Sequence, residues 1–99
     1  MNINKEYNGQ ELTMHVEGRI DTITSQDLDK EIQSEIGKFD SLTMDFSDLE
    51  YISSAGLRVL IATQKTLKPD SIPFIIKNVN DNIKEVFRMS GFDKILKIE

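Results

Sequence analysis

Leu42-Thr43-Met44-Asp45-Phe46, then Ser47-Asp48-Leu49-Glu50-Tyr51-Ile52, then Ser53-Ser54-Ala55-Gly56-Leu57-Arg58 is the stretch that decides the fold. Leu42, Met44 and Phe46 alternate with polar residues, the period of a strand with one buried face. After the two serines the period changes, and Leu57, Leu60, Ile61 and Leu67 recur at helical spacing. Lys65 and Lys68 lie near the end of that helix, where cations suit its dipole, and Pro69 stops it. A strand feeding a helix in this way predicts an α/β unit.

Upstream, Ile3, Lys5 and Tyr7 alternate up to Asn8-Gly9, a dipeptide suited to a tight hairpin turn. Leu12, Met14 and Val16 then alternate with Thr13, His15 and Glu17 as a second strand. Gly18-Arg19-Ile20-Asp21 leads out of it. Thr24 is the expected N-cap of a first helix, with Asp27 in its first turn, Leu28, Ile32, Ile36 and Phe39 inward, and Gly37 and Asp40 as the stop. Downstream, Phe74-Ile75-Ile76 is a short apolar run between Pro73 and Asn78, read as a buried strand. Asn80 or Asp81 caps a third helix that turns Ile83, Val86 and Phe87 inward and ends at Gly91. Ile95, Leu96 and Ile98 add a last short strand or a docking segment. The expected order is β-β-α-β-α-β-α, with a possible final β. It predicts a mixed, mostly parallel sheet of four to five strands, an antiparallel N-terminal hairpin and three helices.

Composition bounds what such a unit can do. The 99 residues suit one domain over 1–99, with enough length for one core. Twelve basic residues against 17 acidic ones give a net charge of −5, which argues against nonspecific nucleic-acid binding and against docking on an anionic membrane. No apolar run approaches the roughly 20 residues of a transmembrane helix, and Met1-Asn2-Ile3-Asn4-Lys5 has no signal-peptide core. There is no cysteine and one histidine, His15, so thiolate chemistry is excluded and a metal site or a histidine-based triad is disfavoured. These features fit a cytoplasmic protein that holds no cofactor or metal.

Ser53 and Ser54 stand where a hydroxyl can cap a helix, and capping alone would explain them. A serine nucleophile would need a base that the sequence does not place nearby. A phosphate on one of them is physically coherent. It adds about −1.5 to −2 charges, and a helix N-terminus favours anions. The fold would be kept while the surface changed.

Tyr51-Ile52-Ser53-Ser54-Ala55-Gly56-Leu57 resembles the phosphorylation motif of STAS domains, and specifically of bacterial anti-sigma factor antagonists. Gly18-Arg19-Ile20-Asp21 resembles the loop after that family's second strand. Val86-Phe87-Arg88-Met89-Ser90-Gly91-Phe92-Asp93-Lys94-Ile95-Leu96 resembles its third helix and exit turn. The resemblance spans roughly residues 10–98, and its motifs stand in order on matching elements. It implies a protein that binds an anti-sigma factor when unphosphorylated and so frees a sigma factor for transcription. The anti-sigma factor doubles as a serine kinase that phosphorylates the antagonist and loses affinity for it, and a serine phosphatase resets the cycle. The implied acceptor is Ser54, the serine two positions before Gly56. Asp21, Ser53, Ser54, Ala55, Gly56 and Arg58 are the expected partner-binding residues, with Gly56 leaving room for a partner's backbone.

This chain departs from the family pattern at Ser53, where the best-known members carry an aspartate, and at Arg58, where a second glycine is common. Arg58 lies one turn past Ser54 and can either pair with a phosphate or be solvated. Asp21 either faces the partner or makes an Asx turn before the first helix. Met89, Ser90 and Gly91 read as a helix terminus, and Phe92 as core or as an exposed anchor. Two rival functions share these residues: a STAS-like subunit of a transporter or signalling scaffold, and a small hydrolase using Ser54.

Overall fold

The computed structural model describes residues 1–99. The elements run β1 (Asn2–Asn8), β2 (Glu11–Ile20), α1 (Thr24–Glu35), β3 (Ser41–Asp45), β4 (Leu49–Ile52), α2 (Ser54–Leu67), β5 (Phe74–Lys77), α3 (Asp81–Ser90) and β6 (Lys97–Ile98). The sheet order is β1-β2-β3-β5-β6, with β4 paired to β2. β1 runs antiparallel to β2, and all other pairings are parallel.

Register turns the strand alternation into a core. Leu12 pairs with Leu42 and Leu42 with Phe74, while Met14 pairs with Met44 and Met44 with Ile76. Partners in register share a face of the sheet, and all six of these side chains are buried. Leu28 and Ile32 of α1, Leu57, Leu60 and Leu67 of α2, and Ile83 and Phe87 of α3 join the same cluster of 21 buried residues. The alternate positions, Thr13, Thr43 and Ile75 in one row and His15, Asp45 and Lys77 in the next, stay half-buried on the opposite face. Along β2, β3, β5 and β6 the parallel strands add in one direction, and right-handed crossovers then place the helices together on one face.

Several expectations shift. The strand β4 is additional to the expected order and makes six strands. Its residues Glu50 and Tyr51 are both exposed between buried Leu49 and Ile52, so it carries no period of two. It exists because β2 is long enough for two partners. Residues Glu11–His15 of β2 pair with β3, and Gly18–Ile20 pair with β4 across a register shift at Gly18 and Arg19. Gly18 adopts φ +92° there and donates its N–H to the Asp48 carbonyl at 3.0 Å, a left-handed backbone that glycine takes without strain. The hairpin loop is Gly9-Gln10 rather than Asn8-Gly9, since Asn8 already pairs with Glu11. The first helix stops one turn early. Ile36 has left it, and Phe39 reaches the core from the following turn. On α3, Val86 is 37% exposed, not inward. The helix is capped as expected by Asn80, which accepts from the Ile83 N–H at 2.9 Å, and it closes at Gly91 with φ +78°.

Candidate functional site

The carboxyl ends of β2 and β4 lie side by side, because Ile20 pairs with Ile52 and the Ser53 N–H donates to the Ile20 carbonyl at 2.8 Å. Helices α1 and α2 therefore start next to each other at this edge of the sheet. In open parallel sheets this edge is where ligands and partners meet the protein.

Ser53 is the N-cap of α2. Its backbone is extended, its hydroxyl oxygen accepts from the Gly56 N–H at 3.2 Å, and its carbonyl accepts from the Leu57 N–H at 3.0 Å. Ser54 is the first helical residue, exposed, and its hydroxyl has no partner within the protein. Of two adjacent serines, one is consumed by the fold and the other is free. Ala55 is half-buried behind them, and Arg58 is exposed one turn further on.

Gly56, expected at the partner surface, has a role inside the fold. The residue is buried, and a Cβ built on it would lie 2.6 Å from Ile20 Cγ2 and 2.8 Å from Ile52 Cγ1. The missing side chain lets the helix start rest on the ends of β2 and β4. The close approach seen here is made by the protein's own core.

Asp21 opens α1. Its Oδ1 accepts from the Ile23 N–H at 2.9 Å and the Thr24 N–H at 2.8 Å, and lies 3.1 Å from the Thr24 hydroxyl. That hydroxyl accepts from the Asp21 N–H at 2.8 Å and lies 2.9 Å from the Arg19 carbonyl as a donor. Thr24 is thus inside the helix and not its N-cap. The cap position falls on Ile23, whose side chain has nothing to offer the free N–H groups. The carboxylate two residues upstream does the work instead. The Thr24 N–H above all, with the Thr24 hydroxyl, the Ile23 N–H and the Arg19 charge, holds the Asp21 carboxyl below the ordinary range against partial burial.

Two features of this edge carry little or no sequence signal of their own. Arg19 stacks its guanidinium over the Tyr51 ring, 4.3 Å from the centroid, a contact set by pairing between strands that are distant in sequence. Ile23 is 76% exposed on a turn braced by Asp21 and Thr24. Its place outside the apolar phase of α1 was the one available hint. His15 is remote from Ser54. It lies five residues before Ile20 along β2, about 16 Å away, and its Nε2 is 2.9 Å from Asp48 Oδ2. No helix is long and apolar enough to cross a membrane.

The geometry defines a parallel-sheet domain with an exposed serine at the start of the helix that follows β4, and comparison with known proteins gives that class a name. The family model of the STAS domain matches residues 2–99, and the chain belongs to that family. It is 29% identical over 84 residues to a relative from Bordetella bronchiseptica named "Putative anti-sigma factor antagonist BtrV". That match covers 84% of this chain and 72% of BtrV. The fold superposes on the crystal structure of an anti-sigma factor antagonist from Mycobacterium paratuberculosis with a TM-score of 0.89 at 23% identity, covering 98% of this chain and 83% of the other. It also matches SpoIIAA in both states. The TM-score is 0.78 to the unphosphorylated form, at 15% identity with 99% and 87% of the two chains covered. It is 0.78 to the phosphorylated Bacillus form, at 17% identity with 99% and 91% covered.

Proposed function

We propose that residues 1–99 act as one phosphorylation-switched anti-sigma factor antagonist in the cytoplasm, with Ser54 as the phosphoacceptor. Unphosphorylated, the protein docks on an anti-sigma factor that is also a serine kinase, and a sigma factor is released for transcription. In the kinase reaction the Ser54 hydroxyl oxygen attacks the γ-phosphorus of kinase-bound ATP. The bond to the bridging oxygen breaks, ADP leaves, and the hydroxyl proton is lost. The new dianion ends docking until a serine phosphatase removes it.

The observation that carries this reading is the division of labour between the serines. Ser53 caps α2, so Ser54 is exposed and unbonded at the helix start. Modifying it costs the fold no hydrogen bond, and the helix end favours the added charge. The docking patch comprises Asp21, Ser53, Ser54, Ala55 and Arg58, with Gly56 beneath it. Incubation with the candidate kinase and ATP, followed by mass spectrometry, tests the site. Label is expected on Ser54, lost in Ser54→Ala and largely kept in Ser53→Ala. Label mapping to Ser53 would overturn the assignment.

A further inference from the structure

The first turn of α2 contains no acidic residue. The N–H groups of Ser54 and Ala55 have no acceptor within the protein. Arg58, four residues after Ser54 on the same helix, is exposed and takes part in none of the protein's ion pairs. Of the other charged groups at this edge, Asp27 and Glu50 are exposed carboxylates, and the remaining two are committed. Asp21 Oδ1 is held by the start of α1, and Arg19 lies over Tyr51. Nothing in the fold uses the Arg58 charge.

Residues four apart face each other along one side of a helix. Long side chains on a helix lean toward its N-terminus, so a side chain at position 58 can reach back over the turn that carries Ser54. An anion on the N-terminal residue and a cation on the C-terminal one is the favourable order for such a pair. A guanidinium also matches two phosphate oxygens at once.

We propose that Arg58 is the built-in counter-charge for a phosphate on Ser54, a device that regulates the switch by retaining the phosphorylated state. The inference rests on Ser54 as the acceptor and adds a second consequence to modification. Before phosphorylation Arg58 is a free cation on the docking patch. Afterwards it is drawn onto the phosphate, so one event both adds a dianion to the patch and withdraws its cation. A phosphatase must then take the phosphate away from an ion pair as well as from the open N–H groups of the helix start.

The test needs no kinase. Phosphoserine is installed at position 54 of the full chain during translation, and the phosphate is titrated by phosphorus NMR. The second ionisation of a free phosphoserine falls near about pH 6. In the protein its midpoint is expected to lie lower, and Arg58→Gln is expected to raise it by a few tenths to about one pKa unit. Amide spectra would confirm that this exposed substitution leaves the fold intact. Lys65→Gln removes the same charge from the last turn of α2, about 16 Å along the helix, which is two Debye lengths at physiological salt. It is expected to leave the midpoint in place. An unchanged midpoint in Arg58→Gln, or an equal shift in Lys65→Gln, would overturn the pairing. Either result would leave the role of Ser54 standing, whereas failure of the kinase to label Ser54 would remove that role without touching this titration.

Discussion

The starts of α1 and α2 are neighbours at one edge of the sheet, and they treat their free N–H groups in opposite ways. At α1 the Asp21 carboxylate is drawn onto the Ile23 and Thr24 N–H groups, and Asp27 adds a second negative charge in the first turn. That helix start is neutralised from within. At α2 the cap is the neutral Ser53, no acid follows, and Ser54 stands open. The difference teaches which helix start has room for an added anion: the one whose positive end the chain leaves uncompensated. Asp21 makes the neighbouring start a brace, which holds the turn carrying Ile23 in place beside Ser54.

The largest expected effect breaks the contrast directly, by giving α2 the negative charge that α1 already has. Phosphate on Ser54 is expected to lower affinity for the purified anti-sigma partner by two or more orders of magnitude, since taking a dianion out of water at an interface costs several kcal/mol even beside a counter-charge. Ser54→Asp should show a smaller loss, and Ser54→Ala should bind like the wild type. Calorimetry on all four forms checks this, and equal affinities would place Ser54 outside the interface.

The next effect sharpens what holds the α2 start in place. Gly56→Ala should destabilise the protein by about 1–3 kcal/mol through overpacking against Ile20 and Ile52, offset in part by the better helix propensity of alanine. Chemical denaturation measures it. A variant as stable as the wild type would show that the two isoleucines yield easily and that the close approach is not a constraint.

A smaller effect separates the two serines. Ser53→Ala is expected to cost about 1 kcal/mol as a lost cap. Ser54→Ala should stay within about 0.5 kcal/mol, as for surface sites without special contacts. Reversed costs in thermal melts would mean that Ser54 is the structural serine.

The mildest test acts on the α1 side. Asp21 has its folded pKa depressed. Its contribution to stability is therefore complete above its unfolded pKa, near about 3.9, and is lost as pH falls through the lower folded value. Asp21→Asn should flatten the acid limb of the stability profile below that pH and leave the neutral region without a pH-dependent change. An acid limb identical to that of the wild type would show that the carboxylate does not hold this turn.

Much of this arrangement could be read from the chain. Alternation in Leu12, Met14 and Val16 and in Leu42 and Met44 marked strands, and the spacing of Leu57, Leu60 and Leu67 marked α2. The caps at Asn80 and Gly91 stood where their residue types put them. The candidate site was readable as a cluster of residue types at a strand-to-helix junction, but the division of roles within it was not. Two adjacent serines look alike in sequence. Which one turns its oxygen to the Gly56 N–H depends on where the Ile20 carbonyl holds the Ser53 backbone.

By itself, then, the sequence determined whatever is local and periodic: the identity of the helices, the alternating strands, the absence of cysteine, and a junction fit to carry a phosphate. These follow from single-chain geometry, because a repeat of 2 or 3.6 residues reports directly which side is buried. The tertiary structure alone decided the features that need two distant segments. It put β4 beside β2 at the Gly18 register shift, with Glu50 and Tyr51 both outward. It buried Gly56 against Ile20 and Ile52, laid Arg19 over Tyr51, and set the starts of α1 and α2 side by side. A hydrogen bond or a van der Waals contact between residues some thirty positions apart leaves no period in the chain, and it exists only once the sheet has fixed their register.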